Sequence, residues 1–175
     1  MRSTILAVIA LIATGNVFAE SSLRQFSDWT VGLIDNNEGV YAATLNDSGG
    51  IIGQYCFFET DDCIWLMSID VKCTDDSKYP ILINSDYAAA YVDVTCTNLD
   101  NAPRYIFNDF ELLKKHVTNS RRIGLAFPMQ DGKFQVSRFS LDGAIDAINF
   151  MAEVYREATR DSGNRNMNHT RDTVL

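Results

Sequence analysis

Apolar and polar residues alternate at every second position through most of this chain, from Trp29 to about Phe139. Successive side chains of a β-strand point to opposite faces, so this period is typical of strands buried on one side. Loop-forming clusters such as residues 35–39 and 46–50 separate the runs. The pattern predicts strands at 29–33, 41–45, 51–58, 63–73, 80–84, 87–96, 104–107, 122–128 and 133–139.

Two segments have helical spacing instead. Between residues 109 and 120, Phe110, Leu113 and Val117 recur on one helical face. A second apolar stripe follows Ser140, the predicted N-cap of a terminal helix. The expected fold class is therefore mainly β with two helices (α+β), an antiparallel β-sandwich-like domain closed by a C-terminal helix.

The first nineteen residues have the three-part layout of a secretory signal peptide. Arg2 is followed by the apolar run at 5–13, and Val17 and Ala19 are small residues before Glu20. The run is shorter than the roughly 20 residues that span a bilayer. We predict cleavage near Ala19/Glu20, a single domain at 20–158, a disordered tail at 159–175 and a periplasmic or secreted location. No stable membrane insertion is expected after cleavage.

Because disulfides persist outside the cytoplasm, export predicts that the four cysteines form disulfides. If 63–73 is one strand, Cys63 and Cys73 are about 33 Å apart, at about 3.3 Å per residue. A disulfide requires Cα atoms within about 7 Å, so that pair is excluded. The short loop at 59–62 brings Cys56 beside Cys63 in a hairpin. We therefore predict Cys56–Cys63 and Cys73–Cys96.

Composition and motifs exclude several classes of function. The net charge of −8 makes nucleic acid a poor partner and is compatible with a basic protein partner. The cysteine spacing has no close pair typical of zinc, so no metal or cofactor is expected. Of the two histidines, His169 lies in the predicted tail. His116 is expected to be a partly exposed residue near a helix C-terminus, where its charge suits the helix dipole.

No catalytic residue is predicted. The acidic pairs Asp61-Asp62 and Asp75-Asp76 are interpreted as solvated turns. A candidate binding surface comes from Tyr87, Tyr91 and Asp93, which alternate on one face of the predicted strand at 87–96. Exposed aromatic residues of this kind are typical of interaction sites.

Three short stretches resemble the invasion-associated locus B family of exported bacterial proteins. Residues 26–31, Phe-Ser-Asp-Trp-Thr-Val, resemble the family's opening F-x-D-W-x-V. Residues 123–129 with 131–133 are similar to its late strand pair, and 139–148 to its closing S-L-x-G-F-x-A-A-L. The family usually has a cysteine after W-x-V, where this chain has Gly32 and Leu33. The resemblance implies a periplasmic or surface β-sandwich protein with disulfides and brings no catalytic residue.

Three hypotheses for function follow from these features. The first is an exported, non-enzymatic binding or interaction protein of the envelope or of host contact, with an unidentified protein partner. The second is a periplasmic inhibitor of a hydrolase such as lysozyme, since an acidic domain suits a basic enzyme. The third is a cell-wall enzyme that uses two carboxylates. The absence of a catalytic motif favours the first.

Overall fold

The structure is a computed structural model that describes residues 22–99, 102–129 and 131–168. The predicted export segment and its cleavage site lie outside these residues, as does the last part of the predicted tail, 169–175. No helix within the described ranges is long and apolar enough to cross a membrane.

The described residues form ten strands and two α-helices. The strands are β1 Ser22–Phe26, β2 Trp29–Leu33, β3 Gly39–Leu45, β4 Ile51–Phe57, β5 Asp62–Ser68, β6 Lys78–Ser85, β7 Ala89–Leu99, β8 Ala102–Phe107, β9 Arg122–Pro128 and β10 Phe134–Ser140. The helices are α1 Phe110–Thr118 and α2 Ala144–Asn168. The predicted class, mainly antiparallel β with two helices, is confirmed.

All ten strands belong to one antiparallel sheet with the order β1-β2-β3-β4-β5-β8-β7-β6-β9-β10. The first five strands form a meander, as their short polar turns predict. β8 then pairs with β5, and β6 pairs with β9. This order leaves β1 and β10 as the two edge strands.

The sheet buries one face against both helices. Its apolar residues on that face pack with α1 and the first half of α2 into a single core. The largest fully buried side chains include Trp29, Trp65 and Tyr105 from strands and Leu113 and Met151 from the helices. α1 begins where predicted, because the Asp109 carboxylate accepts a hydrogen bond from the Leu112 N–H.

The two ends of the sheet approach each other beside the core. The indole Nε1 of Trp29 donates to the Ser140 carbonyl at 3.1 Å. The Asp28 N–H donates to the Asp142 carbonyl at 3.2 Å. These bonds join the start of β2 to the end of β10, so the sheet is curved and its two ends lie together.

The structure contains the two predicted disulfides, Cys56–Cys63 and Cys73–Cys96. Cys56 and Cys63 are directly opposite in the β4–β5 hairpin, with Cα atoms 4.1 Å apart. The premise that 63–73 is one strand was wrong, however, because β5 ends at Ser68. The Val71 N–H bonds to the Ile69 carbonyl at 2.8 Å, which bends the backbone out of the ladder.

The predicted N-cap of the C-terminal helix was also wrong. Ser140 is the last residue of β10 and not an N-cap, because the Leu141 N–H still bonds to the Arg121 carbonyl. The turn before α2 uses Gly143 at φ 89°, a conformation that favours glycine. At its other end α2 continues to Asn168. The domain end at 158 and the tail at 159–175 stay predictions.

Candidate binding site

Neither α1 nor α2 packs on the other face of the sheet, where a cleft of about 1840 Å³ lies. Both helices are on the opposite face, and the strand alternation therefore sends every second side chain toward this cleft. Residues from both halves of the sheet line it, among them Tyr41, Tyr55, Leu82, Arg104, Ala126 and Arg138. We call this surface the open face.

A pair of stacked tyrosines lies on the β3–β4 part of the open face. The rings of Tyr41 and Tyr55 are 5.6 Å apart at 27°, and the residues are direct cross-strand partners. Tyr41 covers Gly32, since a Cβ there would be 2.5 Å from the Tyr41 hydroxyl oxygen. Burial raises the pKa of Tyr55 to about 12, with Tyr41 adding to the shift and Arg104 opposing it. The Tyr55 hydroxyl therefore stays protonated at neutral pH.

Four arginines line the cleft of this acidic chain: Arg104, Arg121, Arg122 and Arg138. Arg104 donates to the Ser68 hydroxyl, and Arg121 pairs with Asp142 at 3.4 Å. The cleft also contains Asp28, Asp35, Asp47, Asp86 and Asp142. Both signs of charge are thus present, an arrangement that suits a polar or protein ligand better than a simple anion.

Of the three residues predicted to share one binding surface, Tyr91 and Asp93 lie together on a strand and Tyr87 lies apart from them. Tyr91 and Asp93 lie on β7 and are exposed, with Val92 and Val94 buried between and beyond them. Tyr87 is not on a strand, because β6 ends at Ser85 and β7 begins at Ala89. It is in the turn, where its ring packs edge-on against His116 with centroids 5.5 Å apart.

Strand register extends the surface around Tyr91 in a direction that the sequence did not reveal. Tyr91 pairs with Leu82, Leu82 with Ala126, and Ala126 with Val136. Cross-strand partners share a face, so these four side chains form an apolar row across β7, β6, β9 and β10. Phe134 continues it on β10. The exposed fractions are 78 % for Tyr91, 62 % for Phe134 and 39 % for Val136.

His116 is not the partly exposed residue that the sequence predicted. It is only 1 % exposed, and its Nδ1 lies 2.8 Å from the Ser85 hydroxyl oxygen. The Ser120 hydroxyl donates to the Ser85 hydroxyl at 2.9 Å, and the Tyr87 ring covers the imidazole. A catalytic Ser–His pair also needs a group that orients the base. Within the described ranges no carboxylate bonds to His116, and the imidazole is buried between α1 and the β6–β7 turn.

Burial lowers the pKa of His116, which predicts a loss of stability in acid. The unfolded chain binds a proton near the ordinary value of 6.5, whereas the folded chain resists it. The free energy of unfolding should therefore fall as pH drops below about 6.5 toward the folded-state pKa, by at most about 1.4 kcal/mol per pH unit.

Urea unfolding of the wild type and of His116→Asn at pH 7.5 and 5.0 measures this term. Asparagine keeps a polar group near Ser85 but does not titrate. His169 is present in both proteins, so its contribution cancels. The wild type should lose more stability between the two pH values than the variant, and equal losses would contradict the prediction.

The acidic pairs have structural roles in turns. The Tyr155 hydroxyl donates to the Asp61 carboxylate at 2.5 Å, and its oxygen lies 3.3 Å from the Phe57 carbonyl oxygen. These contacts join α2 to the disulfide-bonded hairpin. The Asp75 carboxylate accepts from the Asn98 N–H at 2.8 Å. In the described part of the chain no three His, Cys, Asp or Glu side chains converge as metal ligands.

Comparisons with known proteins give a fold and no family. No protein-family model matches the chain, and no curated protein matches it. A crystal structure does match. The chain is similar in fold to invasion associated protein B from Bartonella henselae. The TM-score is 0.56 at 10 % sequence identity, covering 76 % of this chain and 97 % of that one. At this identity the likeness shows the fold and not the family.

Proposed function

We propose that this chain is an exported, non-enzymatic binding protein of the envelope or of host contact, and that it binds through the open face. The observation that carries the proposal is the apolar row from Tyr91 to Val136, continued by Phe134. The row is exposed at Tyr91, Val136 and Phe134 and partly exposed at Leu82 and Ala126 between them. Exposed apolar side chains that are contiguous on a surface mark interaction sites, whereas scattered ones need no explanation.

Three further observations support this proposal. The N-terminal sequence has the layout of a signal peptide, and the two disulfides suit an oxidising compartment. The similar structure adds an example in which such a sheet belongs to an invasion associated protein. Large exposed aromatic residues such as Tyr91 and Phe134 are the type that supplies most binding energy in protein interfaces.

Site-specific photo-crosslinking in the producing cell tests the proposal. A photoreactive phenylalanine at Tyr91 or Phe134 should give a discrete adduct with a single partner. The same residue at Ile145 is the matched control, since that side chain is half exposed but lies on α2. Wild-type protein should compete the Tyr91 adduct, and Tyr91→Ser/Phe134→Ser protein should compete at least tenfold less well.

Two outcomes would overturn it. One is the absence of any discrete adduct at Tyr91 and Phe134, both in the periplasm and during host-cell contact. The other is equal competition by the wild type and by the double variant. Because both side chains are exposed, their substitution should leave stability within about 0.5 kcal/mol, which a urea titration checks.

A further inference from the structure

The two edge strands of the sheet differ in how they are protected. β1 has five residues and an irregular register between Ser22 and Arg24. β10 pairs with β9 through seven consecutive residues without a break. Natural sheets protect their edges with short strands, bulges, charges or covering segments, because a regular free edge accepts another strand. β1 follows this rule, whereas β10 is long and regular and carries exposed Phe134 and Val136.

Flanking hydrogen bonds show which backbone groups of β10 point away from the sheet. The Met129 N–H donates to the Lys133 carbonyl, and the Leu141 N–H donates to the Arg121 carbonyl. In this register the odd-numbered residues bond to β9, and the even-numbered ones point outward. The Ser140 carbonyl accordingly accepts from Trp29. Phe134, Val136 and Arg138 keep N–H and C=O groups with no strand partner in the described part of the chain.

A groove of about 270 Å³ lies directly beyond this free edge. One wall is β10, from Gln135 to Arg138. The other wall is the turn at 46–50 together with Ile69 and Asp70. A further strand would add to the sheet at this position, where an extended chain can bond to the outward backbone groups of Val136 and Arg138. The Ser140 carbonyl is already bonded to Trp29.

The groove favours a peptide over a second copy of the chain. Pairing of two β10 strands would bring the second copy's β9–β10 hairpin into the space bounded by the turn at 46–50. An extended segment has no such neighbour. The groove has two carboxylates, Asp47 and Asp70 on the far wall, and one cation, Arg138 on β10. This excess of negative charge, with the net charge of −8, favours basic side chains opposite the far wall. Val136 and Phe134 favour apolar ones at alternate positions.

We propose that an extended segment of a partner protein, with alternating apolar and basic side chains, adds to β10 as an eleventh strand of the sheet. This inference rests on the proposed function and names the chemistry of the partner. Backbone hydrogen bonds to Phe134, Val136 and Arg138 supply affinity, and the carboxylates of Asp47 and Asp70 supply charge selectivity.

The probe is a fluorescent heptapeptide, Val-Lys-Val-Lys-Val-Lys-Val, measured by anisotropy against the protein with both disulfides intact. Two control peptides accompany it, one with glutamate in place of lysine and one with methylated backbone nitrogens on every second residue. The lysine peptide should bind, and each control peptide should bind at least tenfold more weakly. Amide exchange followed by NMR should slow at Val136 and Arg138 when the lysine peptide is added.

Val136→Pro is the decisive variant. Its missing N–H points away from β9, a position where edge strands tolerate proline, so the variant should fold and lose binding at least tenfold. Val136→Lys, which leaves the backbone intact and adds a charge at the edge, is a second variant expected to repel the lysine peptide. Leu23→Lys on β1 is the control, since its side chain is exposed on the other edge, and it should bind as the wild type does.

Several results would overturn the inference. These are equal binding of the lysine and glutamate peptides, wild-type binding by Val136→Pro, or a dimer in light scattering that Val136→Pro dissociates. If the peptide fails to bind but Tyr91 still crosslinks to a partner, the inference falls and the proposed function stands. If the peptide binds and no partner crosslinks, β10 accepts an added strand but the open face is not the binding surface.

Discussion

Trp29→Ala is expected to lower the free energy of unfolding by about 3–5 kcal/mol, the usual loss for a fully buried tryptophan. Trp29 has no exposed surface, and its Nε1 donates to the Ser140 carbonyl at 3.1 Å. Trp29 begins β2 and Ser140 ends β10. Removal of the ring therefore leaves a cavity and also breaks a bond that joins the two ends of the curved sheet.

Urea unfolding followed by far-ultraviolet circular dichroism measures this loss, and the second tryptophan provides a matched control. Trp65 is equally buried, but its Nε1 has no hydrogen-bond partner among the described residues. Trp29→Phe removes a hydrogen bond, whereas Trp65→Phe removes none. The first should cost about 1 kcal/mol more than the second. Equal costs would show that the bond to Ser140 contributes nothing to stability.

Removal of the Cys73–Cys96 disulfide is expected to cost about 3.4 kcal/mol, and removal of Cys56–Cys63 about 2.4 kcal/mol, from the chain entropy of the unfolded state. The difference arises because the first closes a loop with a sequence separation of 23 and the second one of 7. Cys96 is also fully buried. The Cys73–Cys96 bridge further holds residues 76 and 77, whose backbone bonds to Cys96.

Paired alanine variants, one for each bridge, test this order by urea unfolding under non-reducing conditions. The Cys56→Ala/Cys63→Ala variant is the internal control, since the β4–β5 hairpin keeps seven paired residues without the bridge. Reduction of the wild type should destabilise it at least as much as the Cys73→Ala/Cys96→Ala variant. A larger loss from the shorter loop would contradict the entropic account.

Alternation of apolar residues predicted which side chains are buried more accurately than it predicted where the strands end. Ile69 and Val71 continue the pattern of β5 and pack against the core, although the strand ends at Ser68. The Tyr105 hydroxyl holds this segment by a hydrogen bond to the Val71 carbonyl at 2.8 Å. The apolar character of a side chain indicates that its position is buried. Whether its backbone belongs to a strand depends on a neighbouring strand that lies far away in sequence.

Dependence on distant strands also explains which features of the candidate site the sequence did not predict. Burial of His116 depends on Ser85 and Tyr87, which come from a hairpin about thirty residues earlier. Phe134 and Val136 join the surface around Tyr91 only because β9 pairs with β6. Exposure of Tyr91 and Asp93 was predictable, since the alternation within β7 is local.

Local periodicity and turn composition are sufficient to predict a mainly antiparallel β fold with two helices. The short loop at 59–62 places Cys56 beside Cys63 and so leaves Cys73 for Cys96, although the strand that was used to exclude Cys63–Cys73 ends at Ser68. The tertiary structure alone decided that β8 inserts beside β5, that both helices cover one face, and that β10 is left as a free edge. Each of these depends on which distant strands pair, and no local pattern of side chains encodes that choice.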